Sequence, residues 1–189
     1  MDGSGEPDTF VNQYTSHLNS LDVLDGGAGK DTLNVETEGA IATVTANISN
    51  IETINLKSGS TVTFDTTTYT GVETLNVTKA TTSATLDAAA TTDVNVSGIT
   101  TGAVSVDGGK NVNVTLAAAG TNTTIDGAAG TVTVTDAAQN GAIKVDGGTD
   151  VTVTATAADI STGATSTTGA IKVGQDATAI LPTGDIKVT

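Results

Sequence analysis

The sequence contains no cysteine, no tryptophan and no arginine, and its only aromatic residues are two Phe and two Tyr. The absence of cysteine excludes disulfide bonds, thiolate metal sites and cysteine nucleophiles. No apolar run approaches the roughly 18 residues that a membrane-spanning helix needs, so we expect no membrane insertion. Acidic residues outnumber the seven lysines, and the formal net charge of −14 repels phosphate backbones. We therefore expect no nucleic-acid partner.

The N-terminal residues include neither a basic segment nor an apolar one. A classical signal peptide has both, so we expect export by another route or an excised segment. The chain stops just after an apparent strand, Ile186-Lys187-Val188, without a polar cap. From both ends we expect a fragment of a longer protein.

What the sequence does contain is valine, threonine and a repeated apolar–polar–apolar triplet. Both residue types are typical of β-strands. The first residues of successive triplets are 18 to 21 positions apart: Leu33, Ile54, Leu75, Val94, Val112, Val132 and Val151. A second series runs about half a period out of phase: Val44, Phe64, Leu86, Val106, Ile125 and Val145. Two series with one period near 20 residues predict an all-β parallel solenoid, with a sandwich of separate hairpins as the alternative.

Alternation along a strand places the two apolar residues of each triplet inside and the middle residue outside. In five coils that middle residue is asparagine: Asn34, Asn55, Asn76, Asn95 and Asn113. We expect these amides to stack as a ladder along the solenoid.

Residues 9–24 follow a different period. Phe10, Tyr14, Leu18 and Leu21 recur at the spacing of an amphipathic helix, which predicts a short capping helix over the first coil. We divide the chain into a capping region, 1–24, and a solenoid, 25–189. The solenoid repeat becomes irregular after about residue 155, where an Ile-Lys-Val triplet recurs at spacings of 28 and then 15 residues. An inserted loop around residues 160–168 would account for the longer spacing.

The most specific motif is Gly26-Gly27-Ala28-Gly29-Lys30-Asp31-Thr32-Leu33. It fits the nonapeptide pattern that binds calcium in RTX proteins. The glycines, among them Gly27 and Gly29, permit sharp turns, and Asp31 and the preceding Asp25 supply hard oxygen ligands. A degenerate copy around Asp8 contributes another carboxylate. The motif predicts a Ca²⁺ site, with a simple glycine turn into the first strand as the alternative.

A second set of acids follows the strands of the second series: Asp65, Asp87, Asp107, Asp126 and Asp146. In-register coils would stack these carboxylates about 4.8 Å apart. Such a column favours divalent ions, because like charges this close repel. The alternative for each site is an Asp-Gly turn. We take Asp107, Asp126 and Asp146 as further candidate Ca²⁺ ligands.

We expect no enzymatic activity. The lysines are spread thinly, no pair of carboxylates is singled out, and neither a nucleophile elbow nor a P-loop is present. A polysaccharide-acting β-helix would rest on fold alone. An ice-binding face made of threonine columns is a further alternative, but Asp93, Asn111 and Asp150 interrupt those columns.

The chain resembles the calcium-dependent surface-layer proteins of Gram-negative bacteria, which are related to RTX proteins and exported by type I secretion. The resemblance rests on residues 21–33, on the similar segments 50–56 and 71–77, and on the Thr/Ala/Val/Gly-rich array with Asp-Gly-Gly turns. It implies a right-handed β-helix, secretion to the bacterial cell surface and calcium-dependent assembly. Tandem nonapeptides, by contrast, are scarce here.

These observations together predict a structural extracellular protein. We expect a calcium-stabilised solenoid that assembles with copies of itself into a layer or fibre. Cell-surface polysaccharide is a further expected partner, bound through regions outside this chain. The alternative is a calcium-rigidified adhesin stalk or spacer.

Overall fold

The computed structural model describes residues 5–13, 18–117, 122–157, 169–174 and 180–189. In these ranges the regular structure consists of 17 strands in three sheets, and every strand pair is parallel. None of the described residues belongs to a helix long and apolar enough to span a membrane.

The largest sheet has nine strands, and each strand pairs with the strand one coil away. Its strands are Thr9–Asn12 (β1), Thr32–Thr37 (β3), Thr53–Ser58 (β5), Thr74–Ala80 (β7), Asp93–Val96 (β9), Val112–Leu116 (β11), Val132–Gln139 (β13), Val151–Ala157 (β15) and Ile186–Val188 (β17).

The second sheet has six strands: Val62–Asp65 (β6), Ala84–Ala88 (β8), Val104–Gly108 (β10), Thr123–Ala128 (β12), Ile143–Gly147 (β14) and Ile171–Val173 (β16). A short third sheet joins Val23–Asp25 (β2) to Asn47–Ser49 (β4). Successive strands of the chain therefore alternate between the sheets. This is the arrangement of a parallel β-solenoid with coils of about 20 residues, as the repeat predicts.

The register of the nine-stranded sheet is the one expected from the triplets. Leu33 pairs with Ile54, Ile54 with Leu75, and the column continues without a slip through Val151. These inward residues are at most 1% exposed. Burying an aliphatic side chain of this size contributes about 1.5–3 kcal/mol, and only a neighbouring coil can provide that burial.

The second series is confirmed from Phe64 to Val145, but its first member is wrong. The strand partner of Val62 is Ile41, so Val44 lies beyond the point of pairing. Val44 is nevertheless buried, and its carbonyl accepts a 2.6 Å hydrogen bond from the Tyr69 hydroxyl. In this first coil the strand is reduced to a single β-bridge. The pattern of apolar residues is then too short to show which residue pairs with the next coil.

The two irregular Ile-Lys-Val triplets belong to different sheets. Ile171 pairs with Ile143 in the six-stranded sheet, whereas Ile186 pairs with Val151 in the nine-stranded sheet. The 28-residue spacing is thus a full coil that carries an insertion, and the 15-residue spacing is the step from one sheet to the other. The insertion itself, expected around residues 160–168, lies outside the described residues.

The predicted capping helix is not found in the described part of residues 9–24. Thr9–Asn12 is instead the first strand of the large sheet, with Phe10 opposite Leu33. Phe10 is buried and Val11 is 66% exposed, which is strand alternation, while Leu21 is 89% exposed. Tyr14 lies outside the described residues. Backbone hydrogen bonds to β3 therefore determine the structure of Thr9–Asn12, although the spacing of four apolar residues is helical.

Candidate functional site

The glycine-rich loop begins at Asp25, the last residue of β2. Gly27 and Gly29 both have positive φ, 82° and 137°, a backbone conformation that glycine adopts without strain. The Asp25 carboxylate accepts hydrogen bonds from the Gly27 N–H at 3.0 Å and from the Asn50 amide at 2.8 Å. The Asn50 bond, followed by the Gly27 bond, holds the pKa of Asp25 below its usual value. Asp25 thus closes its own turn and ties it to the next coil.

Asp31, at the end of the loop, is fully buried. Its Oδ1 accepts a 2.6 Å hydrogen bond from the Asp8 N–H, and its own N–H donates to the Glu52 carboxylate at 2.7 Å. Its Oδ2 is buried and has no hydrogen-bond partner. A Cβ on Gly26 would lie 2.7 Å from that oxygen and 1.9 Å from the Asn50 carbonyl, so only glycine fits there.

The predicted calcium ligands of this loop are therefore only partly brought together. Asp8 reaches Asp31 through its backbone, and Asp25 is directed towards Asn50. Over the described ranges, no group of three acidic or histidine side chains is placed to hold a metal ion. The unpartnered Asp31 Oδ2 is the one feature that favours a cation, and calcium binding here stays a prediction.

The predicted acidic column forms over four of its five positions. Asp65, Asp87, Asp107 and Asp126 are strand partners in register. Burial, and then the neighbouring charges of Asp65 and Asp107, raise the pKa of Asp87. Asp65 also accepts hydrogen bonds from the Thr67 N–H and hydroxyl, which is the turn role given above as the alternative.

Asp146 does not continue this column, so its predicted place there is wrong. The register shifts after Ile125, and Ala128 rather than Gly127 is the partner of Gly147. One extra residue in β12 is a bulge, which changes the direction of the side chains that follow. Asp146 is 2% exposed and pairs with Lys144, with Asp146 Oδ2 3.0 Å from Nζ.

One buried acid was missed by the sequence analysis. Asp136 is 1% exposed in β13, between Leu116 and Ala155 of the adjacent coils. Its Oδ1 accepts the Ala138 N–H at 3.0 Å, and its Oδ2 has no partner. Burial raises the pKa of this carboxyl. The signal was present, because alternation from Val132 and Val134 places residue 136 on the inner face.

The asparagine ladder is confirmed over four coils. Asn55 donates to Asn34 at 2.8 Å and Asn76 to Asn55 at 2.8 Å. Asn95 donates to Asn76 at 2.9 Å, and the chain of amide bonds ends at Asn95. Asn113 is the strand partner of Asn95 but is exposed, and no hydrogen bond joins the two amides.

Comparisons with protein-family models, with curated protein sequences and with solved structures found no match to this chain.

Proposed function

We propose that this chain is a structural segment of an extracellular protein, a calcium-stabilised β-solenoid that assembles with copies of itself into a layer or fibre. The observation that carries the proposal is a column of four acids, Asp65, Asp87, Asp107 and Asp126, which are strand partners in register on successive coils of the solenoid.

The proposed role of calcium is to offset the negative charge of the chain. The chain carries a net charge of −14, and four of its acids form one column along the stack. Carboxylates stacked at the strand spacing repel one another, and hard divalent cations offset that repulsion. Calcium would thus favour both a rigid stack and the approach of two acidic copies.

The experiment is a calcium titration of the purified chain followed by light scattering, with magnesium as the ion control and EDTA to reverse the effect. We expect scattering to rise severalfold with calcium and to fall again with EDTA. Asp107→Asn, which removes a charge from within the acid column, should weaken the rise. Glu38→Gln, which removes one charge from an exposed position outside the column, should not.

Two results would count against the proposal. If scattering does not rise at millimolar calcium, the chain is better described as a stalk or spacer. If Asp107→Asn and Glu38→Gln behave alike, the acid column does not mediate the association.

A further inference from the structure

A groove of about 360 Å³ lies on the outer face of the nine-stranded sheet, where β9, β11 and β13 run side by side. It is lined by polar side chains and one valine: Thr74, Asp93, Asn95, Asn111, Val112, Asn113, Thr131 and Thr133. Six of the eight are outward positions at or beside β9, β11 and β13, so this part of the lining repeats at the strand spacing of about 4.8 Å. Thr74 belongs to β7, and Val112 is a buried inward residue of β11.

The groove lies where the asparagine ladder ends. In the coils before it, each amide oxygen accepts a hydrogen bond from the next amide. That pattern stops at Asn95, because Asn113 does not donate to it. Among the described residues, the Asn113 amide and the Thr133 hydroxyl make no hydrogen bond, and Asn95 Oδ1 accepts none. One wall therefore offers donors and acceptors that the protein does not use.

The opposite wall is held in place by its own hydrogen bonds. The Asn111 amide donates to Asp93 Oδ1 at 2.8 Å. The Thr131 N–H and hydroxyl donate to Asn111 Oδ1 at 2.9 and 3.0 Å. These bonds fix the side chains before any ligand arrives, which lowers the entropy cost of binding.

The lining residues define the chemistry of a ligand. The only charged lining group is the Asp93 carboxylate, and the whole chain is acidic, so anions are disfavoured. Amides, hydroxyls and one carboxylate suit a ligand that carries many hydroxyl groups. The volume lies at the small end of the range for ligand pockets.

We propose that this groove binds a neutral saccharide, with the sugar chain lying along the solenoid axis across β9, β11 and β13. The repeat of the lining favours an oligosaccharide over a single sugar, because successive rings meet polar side chains at each coil. None of the lining residues is aromatic, so no sugar ring stacks on a side chain and we expect weak affinity.

The test is an NMR titration of the ¹⁵N-labelled chain in EDTA. EDTA removes calcium, so sugar binding is measured independently of the proposed calcium-dependent assembly. The probes are three neutral tetrasaccharides: cellotetraose, maltotetraose and chitotetraose. At least one of them should shift the side-chain amide signals of Asn95 and Asn113 with a saturating curve. Glycerol at an equal concentration of hydroxyl groups is the control for solvent effects.

Asn113→Ala and Thr133→Ala should each weaken binding roughly fivefold, the loss expected for about one hydrogen bond. Thr85→Ala, an exposed threonine of the other sheet, should leave binding unchanged. Both groove positions are exposed, so we expect the fold to survive, and an unchanged backbone spectrum would verify this. The proposal is overturned if none of the three sugars shifts these amides more than glycerol does, or if Asn113→Ala and Thr133→Ala both bind like the parent.

Discussion

Asp31, Asp136 and Asp146 lie almost entirely inside the stack, and each has one buried oxygen without a hydrogen-bond partner. A buried carboxylate is costly because the interior does not solvate its charge. Asp146 has Lys144 beside it, and Asp31 lies next to the glycine loop. Asp136 instead occupies a core position between Leu116 and Ala155, so its charge is compensated least.

Replacing this carboxyl should therefore stabilise the protein. Burial raises the pKa of Asp136. At neutral pH the ionised carboxylate therefore lowers the free energy of unfolding. That cost falls as the pH drops through the raised pKa and is gone below the unfolded value of about 4. We expect Asp136→Asn to raise the free energy of unfolding at pH 7.5 by roughly 1 kcal/mol.

The measurement is urea unfolding of both proteins at pH 7.5 and pH 4.5. The gain from Asp136→Asn should shrink at the lower pH, because the raised pKa makes the folded carboxyl take up a proton at a higher pH than the unfolded one. Asp87, whose pKa is also raised, remains in both proteins and cancels in the comparison. A variant that is less stable at pH 7.5, or a gain independent of pH, would show that Asp136 is not a buried charge.

The strands and their register follow from the sequence because alternation and a constant period determine which face of each strand is buried. Leu33, Ile54 and Leu75 share a column for this reason. The capping helix predicted over residues 9–24 is not found in the described part of that range, where Thr9–Asn12 is a strand. Four residues are too few for a period of two to be distinguished from helical spacing. Pairing with β3 decided between the two.

The candidate site was less predictable than the fold. Asp25 and Asp31 belong to one motif, yet one closes a turn and the other is buried beside Asp8. That difference depends on Asn50 and on the path of residues 6–8, which are distant in sequence or follow no repeat. Asp146 likewise left its column because of a bulge in β12, on the neighbouring coil.

Among the elements, the asparagine ladder allows a comparison between two positions of the same residue type. Asn55 donates to Asn34 and accepts from Asn76, whereas Asn113 has no amide partner. We expect Asn55→Ala to lower the free energy of unfolding by about 1–2 kcal/mol, since two hydrogen bonds are lost. Asn113→Ala should cost less than about 0.5 kcal/mol, as an exposed position does.

Chemical unfolding of the two variants beside the parent provides the measurement. Equal losses at both positions would mean that the amide bonds contribute nothing and that asparagine is present only as a surface residue.

At the scale of the whole molecule, the acid column gives the stack one charged edge. Asp65, Asp87, Asp107 and Asp126 repeat at the strand spacing, and the chain carries a net charge of −14. Divalent cations offset such repulsion, which is why we expect calcium to promote the association of copies.

The central claim is the proposal that calcium joins copies of this solenoid, and small-angle X-ray scattering with and without calcium tests it most directly. The account predicts that calcium raises the forward scattering, and hence the particle mass, and that EDTA reverses the rise. A forward scattering that stays that of a single copy at millimolar calcium would contradict the claim.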